Sequence, residues 1–473
     1  MQVFRYSGPE FSPYDDASES SDHEPGPWPA PEATRPLSAT ISLPGSKSLT
    51  NRELVLSALA DAPSTLLSPL RSRDSALMIS ALRSLGTSIT EVGEGEYGPD
   101  LEIVPGELAG GTSIDCGLAG TVMRFIPPLA TLALGPVSFD GDEAARRRPM
   151  RATIDSLRAL GVDVSDDGRG SLPFSLYGTG EVEGGELSID ASASSQFVSG
   201  LLLSAPRFRR GLTLTHTGDV LPSLPHIDMT IAALRARCVA AHSPQPGTWV
   251  VEPGPISGLE RRIEPDLSNA APFLISAIVA GGSVTITDWP TETTQVGAEL
   301  ERLLPLWGAT VSRGDSAGTS SSLRVDGGVG VVGGATLPGV DLDLSIGGEL
   351  APAIVALCAL ASGPSRITGI AHLRGHETDR LAALASEIGA LGGSVTELPD
   401  GLAIVPAPLV GAPWRAWDDH RMAHAGAVLG LAVPGILIDD IHSTSKTMPE
   451  FADLWMRVVT GIETVSADPI LLF

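Results

Sequence analysis

Read for the spacing of apolar and polar positions, the chain repeats one theme. A stretch with helical apolar spacing ends at a glycine or polar break. A short β-branched strand, a polar turn and a second strand follow. The theme occurs at Ala76–Leu85 with Thr87–Glu91 and Leu101–Val104, and at Ala152–Leu160 with Val162–Val164 and Leu172–Leu176. It recurs at Met229–Arg237 with Cys238–Ala241 and Thr248–Val251, and at Gly297–Trp307 with Ala309–Ser312 and Ser322–Val325. A fifth copy is Leu381–Leu391 with Ser394–Thr396 and Leu402–Val405, and a sixth helix, Phe451–Val459, runs to Gly461.

The breaks at 86, 161, 238, 308, 392 and 461 recur every ~70–85 residues, longer than the ~20–50 residues of a solenoid repeat. A unit of that size can bury a helix face against a small sheet, so two globular halves of three α/β units each are expected. Every unit also carries a second, more uniformly apolar helix: Leu54–Ala60, Met123–Ala133, Phe197–Ser204, Ala270–Val279, Ala351–Leu360 and Ala423–Leu431. Residues 1–36, rich in Pro, Ser, Glu and Asp without such periodicity, read as a flexible acidic tail.

Charge sharpens this picture. The 473 residues carry 31 basic and 56 acidic side chains, a net −25, which disfavours a nucleic-acid groove. An anionic ligand therefore needs a local cluster of cations. Apolar runs such as 354–361 are too short to span a bilayer, no secretory leader pattern opens the chain, and the three cysteines share no metal or disulfide spacing. A cytoplasmic enzyme is expected. Of the basic residues 29 are Arg and only Lys47 and Lys446 are Lys, so these two mark places where a compact ammonium is wanted rather than a planar fork.

The polar clusters stand where the apolar helices begin. Leu43–Arg52 (LPGSKSLTNR) combines a Pro-Gly turn, hydroxyls and Lys47 at a helix start, an anion-site composition that is not a Walker loop. Asp115–Arg124 offers Gly117, Gly120, Thr121 and Arg124; Arg146–Arg151 is the most basic stretch; Ser192–Gln196 supplies hydroxyls and an amide. In the second half come Glu349, the run His372–Arg380, Asp418–Arg421 and Lys446. Glu349 and Glu377 amid His, Arg and Lys form a credible acid/base set, and no metal-ligand spacing accompanies the histidines. Two halves converging such helix starts would close on a multiply anionic substrate pair.

The motifs LPGSKSLTNR (43–52), GLAGTVMR (117–124), RRP (147–149), SASSQF (192–197), HETDRLAAL (376–384), DDHRMA (418–423) and KTMPEF (446–451) closely resemble those of the 5-enolpyruvylshikimate-3-phosphate synthase family over residues 37–462. The resemblance implies the enolpyruvyl transferase fold: an inside-out α/β architecture of two similar domains, each of three βαβαββ units with helices packed inside sheets. The crossovers map near Gly45–Ser46 and Glu264–Pro265, so 46–264 forms one domain (the shikimate 3-phosphate side) and 37–45 with 265–473 the other (the phosphoenolpyruvate side).

The implied reaction moves the enolpyruvyl group of phosphoenolpyruvate to the 5-hydroxyl of shikimate 3-phosphate by addition and elimination of phosphate. It is the sixth step of the shikimate pathway and uses neither metal nor organic cofactor. By that resemblance Lys47, Ser48, Arg52, Ser194, Ser195, Gln196, Ser223, Glu349, His372 and His376 hold shikimate 3-phosphate. Lys47, Gly120, Thr121, Arg124, Arg148, Gln196, Arg380, Arg421 and Lys446 hold phosphoenolpyruvate, and glyphosate competes there. Glu349, Glu377, Lys47 and His376 are the expected catalytic set, in a monomer.

Many family members have Asp where Glu349 stands, Lys at His376, Asn at His372 and at Leu118, and Tyr at His226. Two alternatives are a UDP-N-acetylglucosamine enolpyruvyl transferase, whose loop cysteine has no counterpart in 141–150, and a catalytically silent homologue, which would not keep both acids and all the cations.

Overall fold

Six helices lie at the centre of the molecule: α1 (Lys47–Ala58), α2 (Gly120–Ala130), α3 (Gln196–Ser204), α4 (Ala270–Ala280), α5 (Ala351–Ala359) and α6 (His420–Gly430). Stretches such as AAPFLISAIVA in α4 have no polar stripe to give to water, so they are stable only when covered on every side. Every residue of α2, α4, α5 and α6 is buried. The computed structural model describes residues 26–315 and 318–462.

The helices pack in two groups of three. α1, α2 and α3 share one hydrophobic core, which runs from Leu49 to Ile263. α4, α5 and α6 share a second, built from Ala30–Leu43 and from Leu267 onward. Small sheets cover each group, and their strands alternate buried and exposed positions, as in Asp100–Val104. Five of the sheets have four strands in one plan: a parallel pair, then two antiparallel strands. Thr112–Asp115, Leu134–Asp140, Phe174–Thr179 and Asp163–Ser165, in that spatial order, are one example.

Two strands are exchanged between the lobes. Leu37–Ile41 pairs in parallel with Gly282–Pro290 of the second lobe, and Glu260–Arg262 pairs with Ser64–Leu67 of the first. The two connections cross side by side, bridged at Gly45 and Pro265, with Ser46 N–H donating to Glu264 O at 2.8 Å. Gly45 is required there: a Cβ would stand 2.3 Å from Ser68 O.

Ordered packing begins earlier than the apolar pattern suggests. Trp28–Pro29, expected within the flexible tail, pairs antiparallel with Leu437–Ile438 and fills the place that a later hairpin strand takes in the other sheets. Ala30 and Ala33 are buried beside it, so a few small side chains anchor a segment too polar to show periodicity. Residues 1–25 of that tail lie outside the described residues.

Two local expectations fail for backbone reasons. The single helix expected over Gly297–Trp307 is three short turns, Val296–Glu299, Leu300–Leu303 and Leu304–Trp307, because Pro305 has no N–H to give. The strand expected at Cys238–Ala241 starts only at Ala241, since Cys238 takes a left-handed φ of 63°. Helix α1 starts at Lys47, at the polar cluster whose composition marks a helix start. Its polar first turns are buried and largely hydrogen-bonded: Asn51 Nδ2 donates to Thr121 Oγ1, and Thr50 Oγ1 accepts from Leu70 N–H.

Candidate active site

The interior helices aim their N-termini at one cleft between the lobes. Lys47 and Ser48 open α1, Gly120 and Thr121 open α2, Ser195 and Gln196 open α3, Ser268 precedes α4, Glu349 precedes α5, and His420 and Arg421 open α6; all line this cleft. None of α1 to α5 has its first turn capped by its N-cap side chain. Asp266 accepts from the Lys47 N–H of α1 and Ser194 Oγ from the Gln196 N–H of α3, and the other first-turn N–H groups, with the helix dipoles behind them, favour an anion.

The cations reinforce that field. Arg124 and Arg148 come from the first lobe. Arg148 Nη1 donates to Leu118 O at 3.1 Å, and Arg124 Nη1 to Gly120 O at 3.3 Å. Burial, and then Arg148, pull the Arg124 guanidinium well below its ordinary pKa, the signature of two like charges awaiting an opposite one. Gly120 separates them: its missing Cβ would lie 3.0 Å from Gln196 Oε1 and 3.1 Å from both guanidinium groups.

From the second lobe, Arg380 Nε and Nη2 donate to the Asp419 carboxylate at 2.7 and 3.0 Å, which fixes the fork. Arg421 Nη1 donates to Ser268 O at 2.7 Å. Lys47 Nζ stands 3.4 Å from buried Asp74. Gln196 Oε1, Arg124 Nε, Arg148 Nε and His372 Nε2 are buried with no hydrogen-bond partner among the described residues.

Two carboxylates lie among these cations. Burial alone would raise both, but for Glu377 the neighbouring Lys446, Arg380 and Arg148 win and hold it well below the carboxylate range. For Glu349, His226, Arg421 and the Ser268 hydroxyl do the same. Ser268 Oγ donates to Glu349 Oε1 at 2.7 Å. His372, His376 and His420 line the cleft as neutral rings. Burial and Arg380 lower His372 to about 4 and hold His376 well below the ordinary imidazole value, and burial with Arg421 lowers His420.

Sixteen of the eighteen residues singled out from the sequence border the cleft: Lys47, Ser48, Gly120, Thr121, Arg124, Arg148, Ser194, Ser195, Gln196, Ser223, Glu349, His372, His376, Glu377, Arg380 and Arg421. Lys446 stands directly behind, its ammonium 2.6 Å from Glu377 Oε1. Arg52, expected to touch a substrate, is instead 1% exposed, its guanidinium bonded to Ser48 O, His226 O and Thr230 Oγ1. It holds the Ser48 backbone from below.

Several participants carry little or no signal in the sequence. Asp74 and Asp419 are buried carboxylates that orient Lys47 and Arg380. Asp419 and His420 stand inside the DDHRMA motif, which signals them; Asp74, Asp266 and Gln295 carry no local signal. Among the described residues no cluster of three or more His, Cys, Asp or Glu is arranged to hold a metal, and no helix is long and apolar enough to cross a membrane.

Fold and cleft together define an inside-out α/β protein that holds a small polyanion between two lobes. Solved structures share this architecture. EPSP synthase from Acinetobacter baumannii superposes with a TM-score of 0.74 at 22% identity, covering 90% of this chain and 97% of its own. The enolpyruvyl transferase NikO from Streptomyces tendae superposes at 0.69 with 17% identity, covering 90% and 96%. A curated relative, the 3-phosphoshikimate 1-carboxyvinyltransferase of Kocuria rhizophila, is 54% identical over 439 residues, 91% of this chain and 96% of that one. The profile of EPSP synthase (3-phosphoshikimate 1-carboxyvinyltransferase) matches residues 31–455, and the chain belongs to that family.

Proposed function

We propose that this chain transfers the enolpyruvyl group of phosphoenolpyruvate to the 5-hydroxyl of shikimate 3-phosphate, releasing inorganic phosphate. The observation that carries the reading is the convergence of six helix N-termini with Arg124, Arg148, Arg380, Arg421 and Lys446 around two ionised carboxylates.

In the addition step the 5-hydroxyl oxygen bonds to C2 of phosphoenolpyruvate while a proton is added at C3. In the elimination step the C2–O bond to phosphate breaks and a C3 proton leaves, restoring the double bond. Glu349, ionised at the foot of α5, is the base for the hydroxyl. Lys446 donates to the ionised Glu377 carboxylate across 2.6 Å, and this pair handles the C3 proton, with neutral His376 beside it. The cations hold the phosphate and carboxylate charges of phosphoenolpyruvate and stabilise the negative charge that the departing phosphate oxygen takes up as its bond to C2 breaks.

Ser48, Ser194, Ser195, Gln196, Ser223, His372 and His376 hold shikimate 3-phosphate, with Arg52 fixing Ser48 from behind. Lys47, Gly120, Thr121, Arg124, Arg148, Gln196, Arg380, Arg421 and Lys446 take phosphoenolpyruvate, and glyphosate competes with it there. The enzyme works as a cytoplasmic monomer, and its three free cysteines fit a reducing compartment.

Phosphate release from phosphoenolpyruvate, followed with and without shikimate 3-phosphate, tests the reaction. Release that depends on shikimate 3-phosphate and falls at least ~100-fold in Lys47→Met is expected. Release with UDP-N-acetylglucosamine instead would overturn the substrate assignment.

A further inference from the structure

Glu349 belongs to the second lobe, yet the ring that meets its carboxylate comes from the first. His226 Nε2 lies 3.5 Å from Glu349 Oε1, with the two side chains only 16% and 22% exposed. His226 stands in the first turn of the helix Leu224–Ala236, and its backbone is held from both sides. Its carbonyl accepts from Arg52 Nη2 at 2.8 Å and from Thr230 Oγ1 at 3.0 Å. The N-cap residue Ser223, at a left-handed φ of 54°, donates its N–H to Ser345 O at 3.4 Å, in the second-lobe segment that leads to Glu349. The helix start and the segment carrying the carboxylate therefore approach as a pair.

We propose that His226 is a positioning residue for the base: its imidazole, delivered by the opposite lobe, aims the Glu349 carboxylate and keeps it ionised when the lobes are together. The inference rests on the reading of Glu349 as the base in the proposed reaction. A protonated carboxyl cannot take the hydroxyl proton. At the acidic pH where it would become protonated an imidazole carries a positive charge, and an opposite charge within ~4–6 Å favours the carboxylate.

The other groups facing Glu349 are less suited to the task. The Ser268 hydroxyl donates a hydrogen bond without charge. The Arg421 guanidinium on α6 is engaged with Ser268 O. His372 is held neutral, and Arg52 and Arg380 are bonded to their own partners. His226 is the facing imidazole that comes from the opposite lobe without such an engagement of its side chain among the described residues.

The test is the pH dependence of kcat and kcat/KM for shikimate 3-phosphate in the full-length wild type, His226→Ala and His226→Gln, with thermal midpoints as a folding control. The acid limb of His226→Ala should move to higher pH by about one unit, and His226→Gln, which keeps a polar contact without the charge, should move with it in the same direction. A limb that stays in place while KM alone rises would make His226 a substrate contact and overturn the proposal. So would a fall in kcat equal at all pH values. Should His226→Ala fail to fold, the Gln variant decides the matter alone. If the wild type turns over shikimate 3-phosphate and the limb does not move, only this inference fails; if the wild type releases no phosphate at all, the functional reading fails and this inference with it.

Discussion

Lys446 Nζ lies 2.6 Å from Glu377 Oε1 and also donates to Leu118 O, 3.2 Å away across the cleft in the other lobe. One ammonium thus joins the carboxylate of its own lobe to the helix start of the opposite one. Both side chains are 8% exposed, so removing either leaves a buried charge unpaired. Lys446→Met and Glu377→Gln are each expected to lower kcat at least ~100-fold. Because the two act as a unit, the double variant should be little worse than the poorer single one. Single-turnover phosphate release would show this, and simple multiplication of the two losses would rule the unit out.

Gly120 lies where two guanidinium groups and an amide oxygen close in. Its Cβ position, 3.0–3.1 Å from Gln196, Arg124 and Arg148, is tighter than ordinary contact. Gly120→Ala must push those side chains outward without altering any charge. The expected result is a several-fold higher KM for phosphoenolpyruvate and a larger rise in the glyphosate concentration needed for half inhibition, with the KM for shikimate 3-phosphate little changed. Inhibition curves unchanged from wild type would contradict the geometry.

Among the described residues four histidines are held neutral inside the fold: His372 is lowered to about 4, and His376, His420 and His424 are held well below the ordinary imidazole value, in each case by burial first and then by nearby cations. Unfolded, each would take up a proton near pH 6.5. The unfolded chain therefore binds more protons as pH falls from ~7 toward ~4, and stability must fall across that window. His424 tests the point without touching the cleft, as both of its ring nitrogens lack partners and it packs against Phe451 at 4.3 Å between centroids. His424→Leu should hold or raise the thermal midpoint at pH 7 and lose less of it at pH 5. Scanning calorimetry at both pH values decides; an unchanged slope would assign the acid sensitivity elsewhere.

The segment before the first long strand is structural. Ala30 N–H donates to Ile436 O and Ala33 N–H to Leu431 O, each at 3.0 Å, while Ala30 packs on Gly430 of α6. Deleting residues 1–35 uncovers the edge of Leu437–Ile438 and part of the second core. A thermal midpoint lower by at least ~4 °C than that of a 1–25 deletion is expected, at ~2–4 °C per kcal/mol for a domain of this size. Equal midpoints for the two truncations would show that the strand pairing adds nothing.

The architecture was legible where local pattern is strong. α2, α4 and α5 are apolar on all sides, a composition that only an interior position satisfies, and the glycine breaks at 86, 161 and 392 marked the ends of outer helices. The cations were legible because they stand at helix starts next to glycines and hydroxyls, where backbone donors already favour an anion. Other features gave no local signal. That the Arg52 guanidinium is held by Thr230 and the carbonyl of His226, far along the chain, has no counterpart in the residues around it in sequence. Trp28–Pro29 reads as tail until it meets Leu437–Ile438.

By itself the sequence determined the six-fold repeat, the interior helices, and which side chains crowd their first turns, because propensity and apolar periodicity act over a few residues at a time. Only the tertiary structure decided that Glu349 faces His226, that Lys446 spans to Leu118, and that Lys47 and Arg380 are held by Asp74 and Asp419. Those pairings join residues from distant stretches of the chain. They depend on how two packed cores meet, and no short-range pattern encodes that.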